Sequence, residues 1–525
     1  MLKIHSGGDF VSQPELENYL QTYFGYSTFR VGQKEIIQDI MEGRDVLGVL
    51  PTGSGKSICY QLSAKLLDGI TIVVSPLISL MIDQVKQLKA INFKEVIALN
   101  SFMEPMERRK VYQKLHTYKL IYVSPELLQK KELQNILSKL HISLFVIDEA
   151  HCISQWGYEF RPDYLKLNTI VETLNNPTIL ALSATATSNV QRDIIDAMKR
   201  PAIIKHIYPM DRDNIAFCVE EVETDNEKLP ILSNLLTNYR IPTLIYFSSR
   251  QTAEDISKLL SDKIPFRRIA FYHGGMEQID RIAIQQQFMN DQLDIICCTS
   301  AFGMGINKSN IRLVIHYHLP PQLESFIQEV GRAGRDGESS LSLLLFSKKD
   351  LYIPKRIIQS ELPSKQDLQS VFSHLLNIFN SSGKLPSNEQ QVQNLLQLSE
   401  TQWRFLRFQL EKHGMIDENT ILYEKENWEK VFQKINNLIF ERSLLKENKL
   451  NEIIQWVHEK ECLRKHLYKS FQSSYQKPKF QCCSNCGFSI SEWEPLEITN
   501  VKNVELSWEN KLKKLLFIGV NDEAK

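Results

Sequence analysis

The sequence predicts an α/β protein: two tandem parallel-sheet lobes, then a winged-helix-like helical module and a small zinc-binding segment. Three observations carry this. Short β-branched apolar runs recur without polar alternation up to about residue 348, and helical-period sequence separates them. Beyond that point the strands give way to Gln/Asn/Lys/Glu-rich helical sequence, and four cysteines crowd into residues 462–486. Apolar runs without alternation, joined through helices, mark strands buried on both faces of a parallel sheet. At roughly 150 residues per domain, a chain of 525 residues has room for three or four such units.

The first lobe takes its strands from residues 46–50, 71–75, 120–124, 144–147 and 178–183. The second takes them from 243–248, 268–273, 294–299, 313–318 and 341–346, and residues 211–224 read as the link between lobes. Further on, residues 381–388 form a Pro/Ser/Asn loop. Residues 399–413 are a helix with Ser399 as N-cap and Gly414 as its stop, since a serine hydroxyl satisfies orphan N–H groups and glycine accepts the left-handed exit. A hairpin over 415–423 follows. Helix, glycine, hairpin is the pattern of a winged helix; a helical packing domain with one incidental turn is the alternative. The expected divisions are 1–208, 209–348, 365–430, 431–490 and a tail at 491–525.

Four patterns carry chemistry. The first strand runs into Pro51-Thr-Gly-Ser-Gly-Lys-Ser57 and a helix. The backbone N–H groups of Thr52, Gly53, Ser54 and Gly55 can close around phosphate oxygens. Lys56 reaches the β- and γ-phosphates, and the Ser57 hydroxyl ligates Mg²⁺. Leu50 stands where the general P-loop pattern has its first glycine. The fourth strand of the first lobe ends in Asp148-Glu149-Ala-His151. An acidic pair at the end of a buried strand calls for a cation, so Asp148 is expected to hold Mg²⁺ and Glu149 to activate water. The second lobe carries Gln328-Glu-Val-Gly-Arg332-Ala-Gly-Arg335-Asp-Gly337, two arginines three apart that can meet a γ-phosphate bound by the other lobe. Finally, Cys483 and Cys486 have knuckle spacing, Cys482 adds a third thiolate and Cys462 returns as a fourth. Four thiolates favour structural Zn²⁺. Adjacent cysteines leave open whether Cys482 or another residue such as Ser489 completes the set.

Residues 51–57, 148–151, Ser183-Ala-Thr185 and 328–335 resemble motifs I, II, III and VI of superfamily 2 helicases. More narrowly, Phe24-Gly-Tyr-Ser-Thr-Phe-Arg-Val-Gly-Gln33, Ser75-Pro-Leu-Ile-Ser-Leu80, Cys152-Ile-Ser-Gln-Trp-Gly157 and Ala301-Phe-Gly-Met-Gly-Ile-Asn-Lys308 resemble the RecQ family of DNA helicases, over about residues 16–348. The resemblance implies RecA-like lobes, a DEAH box at 148–151, and ATP with Mg²⁺ as the bound nucleotide. It places Tyr26 on adenine, with Arg30 and Gln33 on the base or its surroundings, and Gly303, Gly305 and Asn307 at the inter-lobe cleft. Thr185 would relay between nucleotide and nucleic acid. His151, Trp156, Phe160 and Arg161 would form the aromatic-rich segment that couples single-stranded DNA to hydrolysis, because aromatics beside arginine suit stacking on unpaired bases. The zinc-binding cysteines resemble those of the family's zinc subdomain.

An ATP-dependent helicase moving 3′→5′ on single-stranded DNA is therefore expected. It would act on tailed or forked duplexes in repair or recombination, as a monomer, with a single-stranded DNA-binding protein or recombination factors as partners. The stretch between Gly337 and Cys462 is longer than the family's linker, so the C-terminal region is expected to be rearranged or reduced. An RNA-directed helicase, or an ATP-gated DNA-binding module that does not unwind, shares the same motifs.

Charge and hydropathy narrow the class. Lys+Arg and Asp+Glu both number 62, but the sum hides asymmetry: Lys460, Arg464, Lys465, Lys469, Lys477 and Lys479 face Glu461 alone across 460–480. Such a patch suits phosphate contact, which would make binding salt-sensitive. The segment from Ile490 onward is net acidic. No apolar run is long enough to span a bilayer, and residues 1–10 lack a signal core, so a cytoplasmic, nucleoid-associated protein is expected.

Overall fold

The computed structural model describes residues 13–100, 103–154, 161–303, 308–472, 475 and 477–496. Trp156, Phe160, Gly305, Asn307 and residues 497–525 lie outside the described residues.

The apolar runs become two parallel sheets. In the first lobe β1 (Val46–Val49), β2 (Ile70–Val74), β3 (Val96–Leu99), β4 (Leu120–Val123), β5 (Ile142–Ile147), β6 (Thr178–Ser183) and β7 (Ile204–Ile207) lie in the order β3-β4-β2-β5-β6-β1-β7. In the second, β8 (Ile215–Glu221), β9 (Thr243–Tyr246), β10 (Ile269–Tyr272), β11 (Ile295–Cys298), β12 (Leu313–His316) and β13 (Ser340–Phe346) take the order β10-β11-β9-β12-β13-β8. Both faces of the first sheet are covered: Leu47, Val49, Ile72, Val74 and Phe145 pack into one core, Val46, Val73, Leu144 and Val146 into another. Each such side chain contributes roughly 1.5–3 kcal/mol by leaving water.

Register then places the chemistry. β1 pairs with β6 through Val49↔Ser183, and β5 with β6 through Ile147↔Ala181. The turns leaving β1, β5 and β6 therefore share one carboxyl edge, the place where parallel α/β sheets bind ligands.

Three strands depart from expectation. The supposed inter-lobe link at 211–224 contains β8, which pairs in parallel with β13 from Ile215↔Ser340 to Phe346↔Glu221. β3 and β7 were also not anticipated. All three are edge strands with partial burial; β7 (Ile-Lys-His-Ile) lacks a continuous apolar run, whereas those of β3 and β8 are short and only partly covered.

The winged pattern is present: helices Lys365–Ser381, Glu389–Leu396 and Glu400–Lys412, then a hairpin of Ile416–Asp417 and Thr420–Ile421. A single antiparallel bridge joins Lys384 to Thr420 beside the hairpin. Ser399 caps the third helix in a reciprocal box with Gln402. The expected division at 430/431 falls inside the 33-residue helix Lys425–Val457. Its first half (Trp428, Val431, Ile435) fills the winged core, and its second half (Leu450, Ile453, Trp456) joins the lobes' core together with Cys483. One apolar stripe serves two cores, so no break is needed. The expected tail also begins too early, because Trp493 is buried on the second lobe and donates to Ser339 Oγ at 3.1 Å.

Trp456 anchors this arrangement. It is fully buried, donates to the Leu463 carbonyl at 2.9 Å, and its ring lies 4.6 Å from that of Phe326. Trp456→Ala should lower stability by about 3–5 kcal/mol, measured by urea unfolding followed by far-UV circular dichroism. A loss within experimental error would show that the long helix is not anchored there.

Candidate functional site

The loop leaving β1 turns through Gly53 at φ +85° and Gly55 at φ +75° before the helix Ser57–Leu66 begins. These left-handed positions suit glycine and bend backbone N–H groups inward. The loop, residues Tyr26, Arg30 and Gln33, the pair Asp148 and Glu149, and lobe-two residues Gln328, Arg332 and Arg335 line one cleft of about 370 Å³. The sequence-predicted residues of both lobes thus converge on one cleft. The lobes are close: a Cβ on Gly53 would lie 2.9 Å from Arg335 Cγ, and one on Gly331 would lie 2.8 Å from Thr52 Cβ.

The charges are unusual. Burial pushes the Lys56 ammonium down, against the upward pull of Glu149 and Asp148. Burial, then repulsion from Glu149, pushes the Asp148 carboxyl up. Arg335 is brought down to about 9, first by burial and then by Arg332 and Arg212. A cationic cluster beside a buried carboxylate pair complements a polyanion carrying a divalent cation. The hard oxygens of Ser57 and Asp148 both line the cleft and fit Mg²⁺. Glu149 itself sits at φ +49°, a conformation that non-glycine residues rarely adopt and that clusters at functional sites.

One expected contact is revised, and Gln33 has partners in the P-loop. His151, expected on DNA, is 1% exposed; its Nδ1 lies 3.1 Å from Ser183 Oγ and 3.5 Å from Glu149 Oε2. Ser183 Oγ in turn accepts from the Thr185 N–H at 3.3 Å. Because β5 and β6 are neighbours, His151 links the acidic pair to the third motif and lies buried between them. Gln33 donates to the Ser54 and Gly55 carbonyls at 2.8 and 2.9 Å, while its Oε1 accepts from the Arg30 N–H at 2.9 Å. Its amide therefore braces the P-loop. Arg30 also donates to the Gly53 carbonyl. Tyr26 stands 56% exposed at the mouth of the cleft, open to stacking.

On the prospective DNA side, Arg161 is partly exposed, 3.8 Å from Glu126. Arg464 leaves the expected basic patch, since it is completely buried and paired with Asp211. Lys460, Lys465, Lys469, Lys477 and Lys479 remain exposed.

The Sγ atoms of Cys462, Cys482, Cys483 and Cys486 all lie within 4.8 Å of one another. A tetrahedral Zn–thiolate site with bonds of about 2.3 Å has sulfur atoms about 3.8 Å apart, so all four thiolates, Cys482 included, fit one zinc ion. Ser489 is not in the cluster; its hydroxyl bonds that of Ser491.

Sequence reasoning missed Arg212, Asn214 and the buried His316–Glu329 pair at 2.8 Å, which joins β12 to the helix Leu323–Val330 that also carries Gln328. Arg212 and Asn214 lie where only the polar run at 211–214 hints at a role, and Glu329, though inside the 328–335 motif, has a partner, His316, that no local pattern indicates.

Two RecA-like lobes with a P-loop, an acidic pair and trans-lobe arginines define a superfamily 2 helicase core. The pattern of DEAD/DEAH box helicases matches residues 30–193, and that of the helicase conserved C-terminal domain matches 227–337. The chain is 39% identical over 509 residues to the probable ATP-dependent DNA helicase RecS of Bacillus subtilis, covering 96% of this chain and 98% of that protein. It is 40% identical over 360 residues to the ATP-dependent DNA helicase RecQ of Haemophilus influenzae, covering 68% of this chain and 57% of that one. The helicase Lhr of Mycobacterium smegmatis, solved with single-stranded DNA and AMP-PNP, shares the fold at TM-score 0.55 and 18% identity, over 79% of this chain and 61% of that one. The chain belongs to the RecQ family of superfamily 2 DNA helicases. Among the described residues no helix is long and apolar enough to cross a membrane.

Cys483→Ser should reduce bound zinc from one ion per chain to below about a tenth, measured by inductively coupled plasma mass spectrometry. Stoichiometric zinc in the variant would remove Cys483 from the site.

Proposed function

We propose that this ATP-dependent DNA helicase translocates 3′→5′ on single-stranded DNA and separates tailed or forked duplexes during repair or recombination. It would work as a monomer in the cytoplasm, alongside single-stranded DNA-binding or recombination proteins. The observation that carries the reading is the convergence of Lys56, Asp148, Glu149, Arg332 and Arg335 on one inter-lobe cleft.

ATP enters with its base beside Tyr26 and its phosphates in the P-loop, whose carbonyls are held by Arg30 and Gln33. Thr52, Gly53, Ser54 and Gly55 surround the phosphates with backbone N–H groups, and Lys56 donates to the β/γ oxygens. Ser57 and Asp148 would hold Mg²⁺, which when bound neutralises phosphate charge. Glu149 orients the attacking water and takes its proton. Arg332 and Arg335 stabilise charge spreading over the transferring phosphoryl group, so turnover requires both lobes. Gln328 lines the same cleft, and Gly305 and Asn307 are assigned there by motif. Loss of the γ-phosphate removes the anion between lobes, and the cleft opens.

The path from hydrolysis to DNA runs from Glu149 through His151 and Ser183 to Thr185. Trp156, Phe160 and Arg161 would stack on or bind the single strand along which the enzyme moves. The zinc subdomain and its exposed lysines would support phosphate contact.

Strand displacement should proceed on a duplex with a 3′ single-stranded tail and fail on one with a 5′ tail, with single-stranded DNA stimulating ATP hydrolysis more than RNA does. Displacement from the 5′-tailed substrate alone would overturn the polarity; ATP hydrolysis without displacement would reduce the protein to a DNA-gated ATPase. Glu149→Gln should lower kcat by about 10²–10⁴-fold while a fluorescent ATP analogue still binds. Unaltered turnover in that variant would remove Glu149 from its role.

A further inference from the structure

The crossing between lobes, residues 208–214, carries more contacts than a tether needs. Arg212 donates from Nη1 to the Thr52 carbonyl in the P-loop at 3.1 Å, and from Nη2 to the Gly334 carbonyl between Arg332 and Arg335. Asn214 donates to that same Gly334 carbonyl at 2.8 Å and to the Glu338 carbonyl at 2.7 Å. One guanidinium thus spans the P-loop of the first lobe and the arginine loop of the second. The planar fork of arginine can satisfy two carbonyls at fixed separation, whereas a lysine ammonium holds no such geometry. Gly334 completes the fit: it sits at φ +54°, and a Cβ there would lie 2.3 Å from Asn214 Nδ2.

The same segment is gripped from behind. Arg464, two residues past Cys462, pairs with Asp211 and donates to the carbonyls of Arg212 (3.0 Å) and Ile215. The Phe217 N–H donates to the Cys482 carbonyl at 3.1 Å, and the Lys479 N–H to the Asp213 carbonyl at 2.8 Å. Gln472 Oε1 accepts from the N–H groups of Met210 and Asp211 at 2.9 and 3.2 Å. A completely buried ion pair gives little net stability, because desolvation offsets the attraction. What Arg464 supplies is direction: it fixes the backbone from which Arg212 projects.

We propose that Arg212 is a positioning residue for ATP hydrolysis, holding the P-loop and the arginine loop in register, and that Arg464 of the zinc subdomain sets its placement. The zinc subdomain then acts on turnover through the inter-lobe crossing, independently of its contacts to DNA. This inference rests on the assignment of the ATP site to the cleft.

The test uses the full-length, zinc-loaded protein with Arg212→Gln, Arg464→Lys and the double variant. Arg212→Gln should lower kcat for single-stranded-DNA-stimulated ATP hydrolysis by about 10- to 100-fold, the scale of a misplaced reacting group, while the Kd of a fluorescent ATP analogue shifts by less than about threefold. Zinc content and melting temperature should match the parent. Arg212→Lys should fail to rescue kcat. Arg464→Lys keeps a cation for Asp211 but loses the fork, so it should show the same kcat defect in weaker form. The double variant should be no worse than Arg212→Gln alone, because both changes act through one chain of contacts. Should Arg464→Lys lose zinc or melt early, Asp211→Asn with Arg464→Gln removes the buried pair together and replaces it in the comparison. Parent-like turnover in Arg212→Gln overturns the role of Arg212, and multiplicative defects in the double variant overturn the link to Arg464. Lys56→Ala is the control: if it hydrolyses ATP normally the site assignment fails, and if it is inactive while Arg212→Gln is normal only this inference fails.

Discussion

The structure turns on a concentration of positive charge that two lobes must share. Lys56 comes from the first lobe, Arg332 and Arg335 from the second, and Arg212 from the chain between them. Burial first, and then repulsion from Arg332 and Arg212, lowers Arg335, and a polyanion is the chemical complement of such a cluster. In the proposed function the electrostatics that would bind a triphosphate would also tie nucleotide state to lobe separation, giving binding and movement one physical origin.

Everything else in the fold serves to keep those cations at the cleft. Parallel strands in the order β5-β6-β1 bring the P-loop, the acidic pair and Ser183 to one edge. The His316–Glu329 pair ties the helix that precedes the arginines to β12. The 33-residue helix carries the winged module at one end and packs on the lobes at the other. The winged module lies ahead of the zinc cysteines in sequence, and the long helix that carries it also packs into one core with Cys483.

The central strands and the catalytic motifs were legible because each is written in consecutive residues. A run such as residues 71–74 has one physical use, and Gly-Lys-Ser after a strand has few. Edge strands were not legible: β7 alternates between partial burial and exposure, and β8 looks like a linker until β13 lies beside it. His151 and Arg464 were misplaced for a related reason. A histidine beside aromatics and an arginine among lysines look like surface chemistry, and only the neighbouring strand or the buried Asp211 reveals otherwise.

The amino-acid sequence by itself determined the class of chemistry: the P-loop, the acidic pair, the paired arginines and four cysteines whose spacing calls for zinc. Those depend on short-range spacing, which the chain carries locally. Tertiary structure alone decided which groups hold the site together, because Arg212 meets Thr52 and Gly334 across separations of 160 and 122 residues, and Arg464 meets Asp211 across 253. Hydrogen bonds and ion pairs act over a few ångströms in space, and no local pattern encodes partners that only the folded chain brings together.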